Sequence, residues 1–242
     1  MSAIHRDKST ANEHVAPWKH GHVPVIGLIG AIGGGKSRVA SMLEDRGALV
    51  LDADSMAHRL LEFSSIRDRV VDRFGPGILK VDDKAAHTTE PGIDRGALGK
   101  IVFADSAALK DLESLLHPAI RNEFERIIEE TNRAESAPAV VLDAAVLLEA
   151  GWHDLCDYLV CVDAPREIRL GRVRTQRGWS SETLAAREHA QWPLDQKKRC
   201  SNLVIMNDSG PEHLEREVDR FWPWLSRHDS MEMADSEVGQ EA

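Results

Sequence analysis

Lys36 and Ser37, directly behind the glycines at 33–35, are the residues whose types and spacing point most plainly to chemistry. With Gly30 they complete the pattern G-x-x-x-x-G-K-[ST] over residues 30–37 without a mismatch. Glycines let a backbone curl so that successive N–H groups turn inward on an anion. A helix starting behind them adds the positive end of its dipole. Lys36 can then reach the β- and γ-phosphates of a nucleotide, and the Ser37 hydroxyl can hold Mg²⁺. The plain alternative is a glycine-rich turn that binds nothing. The apolar run before the turn and the stripe Val39, Met42, Leu43 behind it favour the phosphate loop.

Carboxylates form the second group. Asp52 and Asp54 follow a short β-rich run, where a parallel sheet presents its carboxyl edge to a ligand crevice. A carboxylate at Asp54 can accept the proton of an attacking hydroxyl or help hold a metal, and it can equally cap a helix beginning near Ser55. Asp52 is the weaker candidate for the same work. Asp143 closes a nearly all-apolar run and resembles a Walker B carboxylate, which would touch Mg²⁺ through water. Ala144 follows it, where ATP-hydrolysing motors carry a glutamate.

The third group is cationic. Arg166, Arg169, Arg172, Arg174 and Arg177 stand against Glu167 alone. Such a run is ordinarily a solvated helix face. Following a strand in a phosphate-loop protein, it also fits a lid that brings arginines onto a transferring phosphate.

These groups need a scaffold. Strands are predicted at 23–29, 48–52, 139–143, 158–163 and 202–206, separated by helical stretches. That alternation predicts an α/β protein with a parallel five-stranded sheet flanked by helices, the fold of phosphate-loop NTPases. The first helix spans 36–46. Residues 55–134 interrupt the alternation as a helical, substrate-side insertion, with a long exposed loop at 82–91. Within it, Leu109, Leu112, Leu115 and Leu116 mark one helix and Ile120, Phe124, Ile127 and Ile128 a second. His117-Pro118 between them is predicted to end the first and start the next, with His117 either a ligand contact or a corner residue. An arginine-rich lid is expected over 166–200, including a helix at 180–191. A last helix carries Leu214, Val218, Phe221 and Trp222 on one face. Residues 1–22 read as a disordered extension, its histidines a remote metal-binding alternative, and 226–242 as a disordered acidic tail. The phosphate-loop domain is thus expected over 23–225.

Composition closes several doors. The 242 residues carry a net charge of -10, which argues against broad nucleic-acid or membrane binding. No apolar run approaches a membrane span, and the N-terminus has no signal-peptide core. Cys156, Cys161 and Cys200 lack metal or disulfide spacing. A cytoplasmic setting is expected.

The motifs taken together resemble dephospho-CoA kinases over residues 24–222. They are Gly-Leu-Ile-Gly-Ala-Ile-Gly-Gly-Gly-Lys-Ser (27–37), Leu-Asp-Ala-Asp (51–54), Ile-Asp-Arg-Gly-Ala-Leu (93–98) and Val-Phe-Ala-Asp (102–105). Leu-His-Pro-Ala-Ile (116–120), Val-Leu-Leu-Glu (146–149) and Met-Asn-Asp-Ser-Gly (206–210) follow in the family's order. The resemblance implies phosphorylation by ATP, with Mg²⁺, of the 3′-hydroxyl of the dephospho-CoA ribose, the last step of coenzyme A biosynthesis. It also implies that Ile32, Gly33, Gly34, Gly35, Lys36 and Ser37 hold the ATP phosphates and that Asp54 is the base. His117 would belong to the CoA side, Arg172 and Arg177 to the lid, and Asn207 would lie near adenine. Ala31, Gly34 and Arg38 depart from the family's usual Gly, Ser and Thr, Ala145 stands in place of Pro, and the loop 82–91 is longer. Another nucleoside or metabolite kinase would share the loop, Asp54 and the lid. A nucleotide-binding regulator is the remaining rival, although no Asn-Lys-x-Asp guanine motif follows any strand.

Overall fold

The computed structural model describes residues 18–80 and 91–225. Residues 1–17, most of the loop at 82–91 and the tail at 226–242 lie outside the described residues, and with them the expectations placed there. Five parallel strands form one sheet in the order β2-β3-β1-β4-β5. They are β1 (Val25–Gly30), β2 (Leu49–Asp52), β3 (Val140–Asp143), β4 (Tyr158–Asp163) and β5 (Leu203–Met206). The central register runs Val25 to Val140 on one side and Ile26 to Tyr158 on the other.

Strand residues alternate between two cores. Val25, Ile29, Val140, Leu142 and Cys161 face one, while Ile26, Leu28, Val141, Val160 and Val162 face the other. Burial on both faces explains why these strands read as near-continuous apolar runs. The second core is closed by α1 (Lys36–Glu44) and α9 (Pro211–Leu225) through Val39, Met42, Leu43, Leu214, Val218 and Phe221. The first is closed by a helical excursion between β2 and β3. Its helices are α2 (Ala53–Leu60), α3 (Ser64–Phe74), α4 (Arg95–Ala104) and α5 (Ser106–Ala134).

Helix α5 corrects the sequence reading. Its 29 residues run unbroken through Pro118, where two helices were predicted. Pro118 has no N–H to give the Ser114 carbonyl, a cost of about 3 kcal/mol in a helix interior. The helix survives because Leu116, Ile120, Phe124 and Ile128 keep one buried stripe across the proline. Trp152 completes that packing, meeting the Phe124 ring edge-on at 5.5 Å and the His117 ring at 5.2 Å.

Between β4 and β5 lie α6 (Arg166–Arg177), α7 (Ser181–His189) and α8 (Leu194–Cys200). Residues 18–22, expected to belong to a disordered extension, are fastened onto the segment before β4. The backbone N–H of Lys19 donates to Asp157 Oδ1 at 2.8 Å and its Nζ to the Cys156 carbonyl at 2.5 Å. The Trp18 ring meets Tyr158 edge-on at 5.3 Å. Among the described residues no helix is long and apolar enough to cross a membrane.

Candidate functional site

The site forms where the sheet's carboxyl edge meets the loop 30–37. Gly35 caps α1 in the left-handed region at φ 104°, and a Cβ there would lie 2.1 Å from Asn207 Nδ2. Only glycine permits both that backbone and that approach. Gly33 and Gly35 offer backbone N–H groups that meet no acceptor among the described residues, as an anion cradle requires.

Lys36, the first residue of α1, meets Asp143 at the end of β3 as an ion pair. The Asp143 side chain is 6 % exposed, and its Oδ1 accepts no hydrogen bond apart from that contact. Burial pushes the Lys36 ammonium down to about 8, with the charge of Lys197 in the same direction, while Asp54 and Asp52 oppose the change. Contact with Asp143 also favours the charged form. The structure therefore gathers Lys36, Asp143, Asp54 and Asp52 into one electrostatic neighbourhood.

The two aspartates after β2 are distinguished by their contacts. Helix α2 begins at Ala53, and its cap is Asp52, which accepts from Ser55 N–H at 2.6 Å. Asp54 lies in the first helical turn and is exposed. The expected alternative, Asp54 as cap of a helix from Ser55, is corrected: the helix starts two residues earlier.

Backbone carbonyls on the outer side of the loop are held by side chains from elsewhere. Arg172 Nη1 donates to the Gly33 and Gly34 carbonyls at 3.3 and 3.2 Å. Its Nη2 donates to Asn207 O and Oδ1 at 3.0 and 3.1 Å. Buried Asn207 donates from Nδ2 to Gly34 O at 2.8 Å. Two clefts flank the loop. One of about 410 Å³ is lined by Gly35, Lys36, Ser37, Arg172, Arg177 and Asn207. The other, of about 520 Å³, is lined by Ile32, Arg169, Glu188, Trp192 and Lys197, among others. Ser37 is exposed at the floor of the first. Arg177, at the end of α6, stacks over the Trp179 ring at 4.9 Å beside Arg187.

His117 is not drawn into the lysine–carboxylate cluster. Half-buried against Trp152, its pKa is lowered by burial, with Glu113 opposing.

Sequence reasoning did not single out Arg169, Glu188, Lys197 or Asp163. Lys197, 3 % exposed, donates to Gly30 O at 3.3 Å and Gln191 Oε1 at 2.8 Å. Asp163, ending β4, pairs with Lys198 at 2.5 Å. The available signal for Arg169 was its spacing: Arg169, Arg172 and Val173 share one helical face, which lies against the loop.

Comparison with known proteins adds an independent line. The family model for dephospho-CoA kinase matches residues 24–213. A dephospho-CoA kinase of Symbiobacterium thermophilum is 39% identical over 201 residues, covering 82% of this chain and 80% of that protein. One from Geobacter sulfurreducens is 40% identical over 199 residues, covering 82% and 96%. Among solved structures, a Thermus thermophilus protein superposes with TM-score 0.67 at 34% identity, over 85% of this chain and 99% of its own. The dephospho-CoA kinase of Campylobacter jejuni, at 23% identity and TM-score 0.61 over 84% and 96%, shares the fold.

Proposed function

The chain belongs to the dephospho-CoA kinase family, and from that premise we propose that it transfers the γ-phosphate of ATP to the 3′-hydroxyl of the dephospho-CoA ribose. The observation that carries the reading is the convergence at the sheet edge of a buried Lys36–Asp143 pair with the charge of Asp54. A kinase needs positive charge on the transferring phosphate and a carboxylate for the attacking alcohol.

In this reading, Ile32 to Ser37 cradle the ATP phosphates, with Lys36 moving its charge from Asp143 to the β- and γ-oxygens. Asp54 orients the ribose hydroxyl and takes its proton as the bond to phosphorus forms. Arg172 and Arg177 stabilise charge on the transferring group from the α6–α8 segment, which acts as the lid over 166–200. Asn207, on the cleft of about 410 Å³, lies at the adenine side. The helical excursion at 55–134 takes the acceptor, His117 included. Ser37 and Asp143 suit Mg²⁺: a hard cation takes one or two protein oxygens beside phosphate oxygens, and Asp143 Oδ1 is a buried acceptor lacking a hydrogen bond. Bound there, the ion would neutralise phosphate charge. Three free thiols suit the reducing cytoplasm.

The test is a coupled assay for ADP release with dephospho-CoA set against a panel of nucleosides and small alcohols. Turnover with dephospho-CoA alone is expected. Preference for a nucleoside would replace this reading with that of another kinase of the same fold.

A further inference from the structure

We propose that Arg169 and Glu188 form a positioning pair that sets the direction of the Gly33 amide by holding the Ile32 carbonyl. The proposal rests on the reading of the loop as the seat of the ATP phosphates.

Arg169 is 6 % exposed, an uncommon state for an arginine unless its charge is paired. Its guanidinium spans three acceptors on three separate pieces of chain. Nε donates to the Ala164 carbonyl at 2.9 Å, just past β4. Nη1 donates to the Ile32 carbonyl at 3.3 Å and meets Glu188 Oε1 on α7. The other oxygen of Glu188 accepts from Arg166 Nη1 at 3.2 Å. The backbone of α6 also lies close to the loop, since a Cβ on Gly33 would come within 3.0 Å of the Arg169 carbonyl.

A trans peptide unit is planar, with its C=O and N–H pointing in opposite directions. Holding Ile32 O outward with a guanidinium therefore fixes Gly33 N–H inward, and this N–H meets no acceptor among the described residues. Donors aimed in advance at developing charge need no reorganisation during reaction. Glu188 supplies the counter-charge that makes a buried guanidinium tolerable, so the placement of α7 is transmitted to one loop amide. Arg172 acts directly on the next two carbonyls; Arg169 and Glu188 act only through Ile32.

Arg169→Lys and Glu188→Gln test this. An ammonium can keep the pair with Glu188, but it cannot span Ala164, Ile32 and Glu188 with the geometry of a planar fork. Glu188→Gln, at a side chain 27 % exposed, removes the counter-charge and keeps an oxygen that can accept from the guanidinium, and the thermal midpoint reads what the lost charge costs the fold. ATP affinity by titration calorimetry needs no assumption about the acceptor. The measured set is that affinity, kcat and KM with dephospho-CoA, the Gly33 amide resonance in the ligand-free protein, and the thermal midpoint. For Arg169→Lys the expected result is a shifted Gly33 resonance and ATP affinity weaker by about five- to tenfold, the scale of one hydrogen bond. Glu188→Gln should shift the same resonance by less, and the two changes together should be less than multiplicative. An unmoved Gly33 resonance with wild-type ATP affinity in both variants overturns the proposal, as does a lowered midpoint with unchanged affinity per folded molecule. Lys36→Ala separates the two levels. ATP affinity insensitive to Lys36 would refute the loop reading itself, whereas sensitivity to Lys36 but not to Arg169 or Glu188 would refute only the pair.

Discussion

Asp52 and Asp54 stand two residues apart, one locked on a backbone amide and the other open to solvent. Their substitutions should therefore separate. Asp52→Ala removes a cap and is expected to cost about 1 kcal/mol of stability, read as a lower urea midpoint. Asp54→Asn breaks no contact of that kind, so the thermal midpoint and ATP affinity should hold. An amide cannot take a proton, and kcat should fall by about two decades or more; a retained kcat would remove Asp54 from the role of base. Lys36 differs from both because its partner is buried. Lys36→Ala should lose two to three decades of rate, on the order seen when such electrostatic stabilisation is removed. It also strands the Asp143 carboxylate beneath the loop, a loss of about 3 kcal/mol. Adding Asp143→Asn should restore part of the melting temperature and none of the activity. The sequence alone predicts an unchanged fold for Lys36→Ala, because the pairing across β1 and β3 that makes Asp143 its neighbour is a tertiary fact.

Helix α5 holds a proline in its middle turn, and this carries its own prediction. Pro118→Ala returns a hydrogen bond to Ser114 O, opposed by greater freedom of the unfolded chain. A net gain of about 1–2 kcal/mol is expected, seen as a thermal midpoint higher by roughly 2–8 °C. An unchanged or lowered midpoint would show that Pro118 is itself part of what seats the His117 ring on Trp152. The same helix shows where sequence reading ran out. The five strands, the glycine-rich loop and the placing of Lys36 and the aspartates at the sheet edge were legible because each is local: an apolar run, a glycine spacing, a charge at a strand end. Pro118 was misread because local propensity argued for a break while a buried stripe of long-range contacts argued against it. Arg169 was seen only as one of five arginines, since nothing along the chain tells that its fork reaches Ile32 and Glu188. Asp54 was read as the alternative cap and Asp52 was not, because the start of α2 is placed by φ and ψ angles that the sequence does not show.

Across the molecule, the thiols differ sharply in their surroundings. Burial pushes Cys156 up to about 12, helped by Asp157 and Asp154 and opposed by Lys19. Burial likewise raises Cys161 to about 11, whereas Cys200 is exposed. Thiolate is the reactive form, so the folded protein at pH 8 should take up one equivalent of an alkylating reagent, at Cys200, and three after denaturation. Early labelling of Cys156 would mean that the strap of residues 18–22 opens readily, because Lys19 lies on the Cys156 carbonyl. The order of the sheet has a further consequence, for the history of each molecule. Strand β1 is made before both its neighbours, β3 and β4, which begin more than a hundred residues downstream. Pairing over such separations is slow, and chains are synthesised from the N-terminus. The glycine-rich loop at 30–37 thus leaves the ribosome well before the strands that wall it in. A nascent chain stopped before residue 140 should fail to retain ATP, and the ability to do so should emerge late and abruptly, once β3 and β4 have closed on either side of β1.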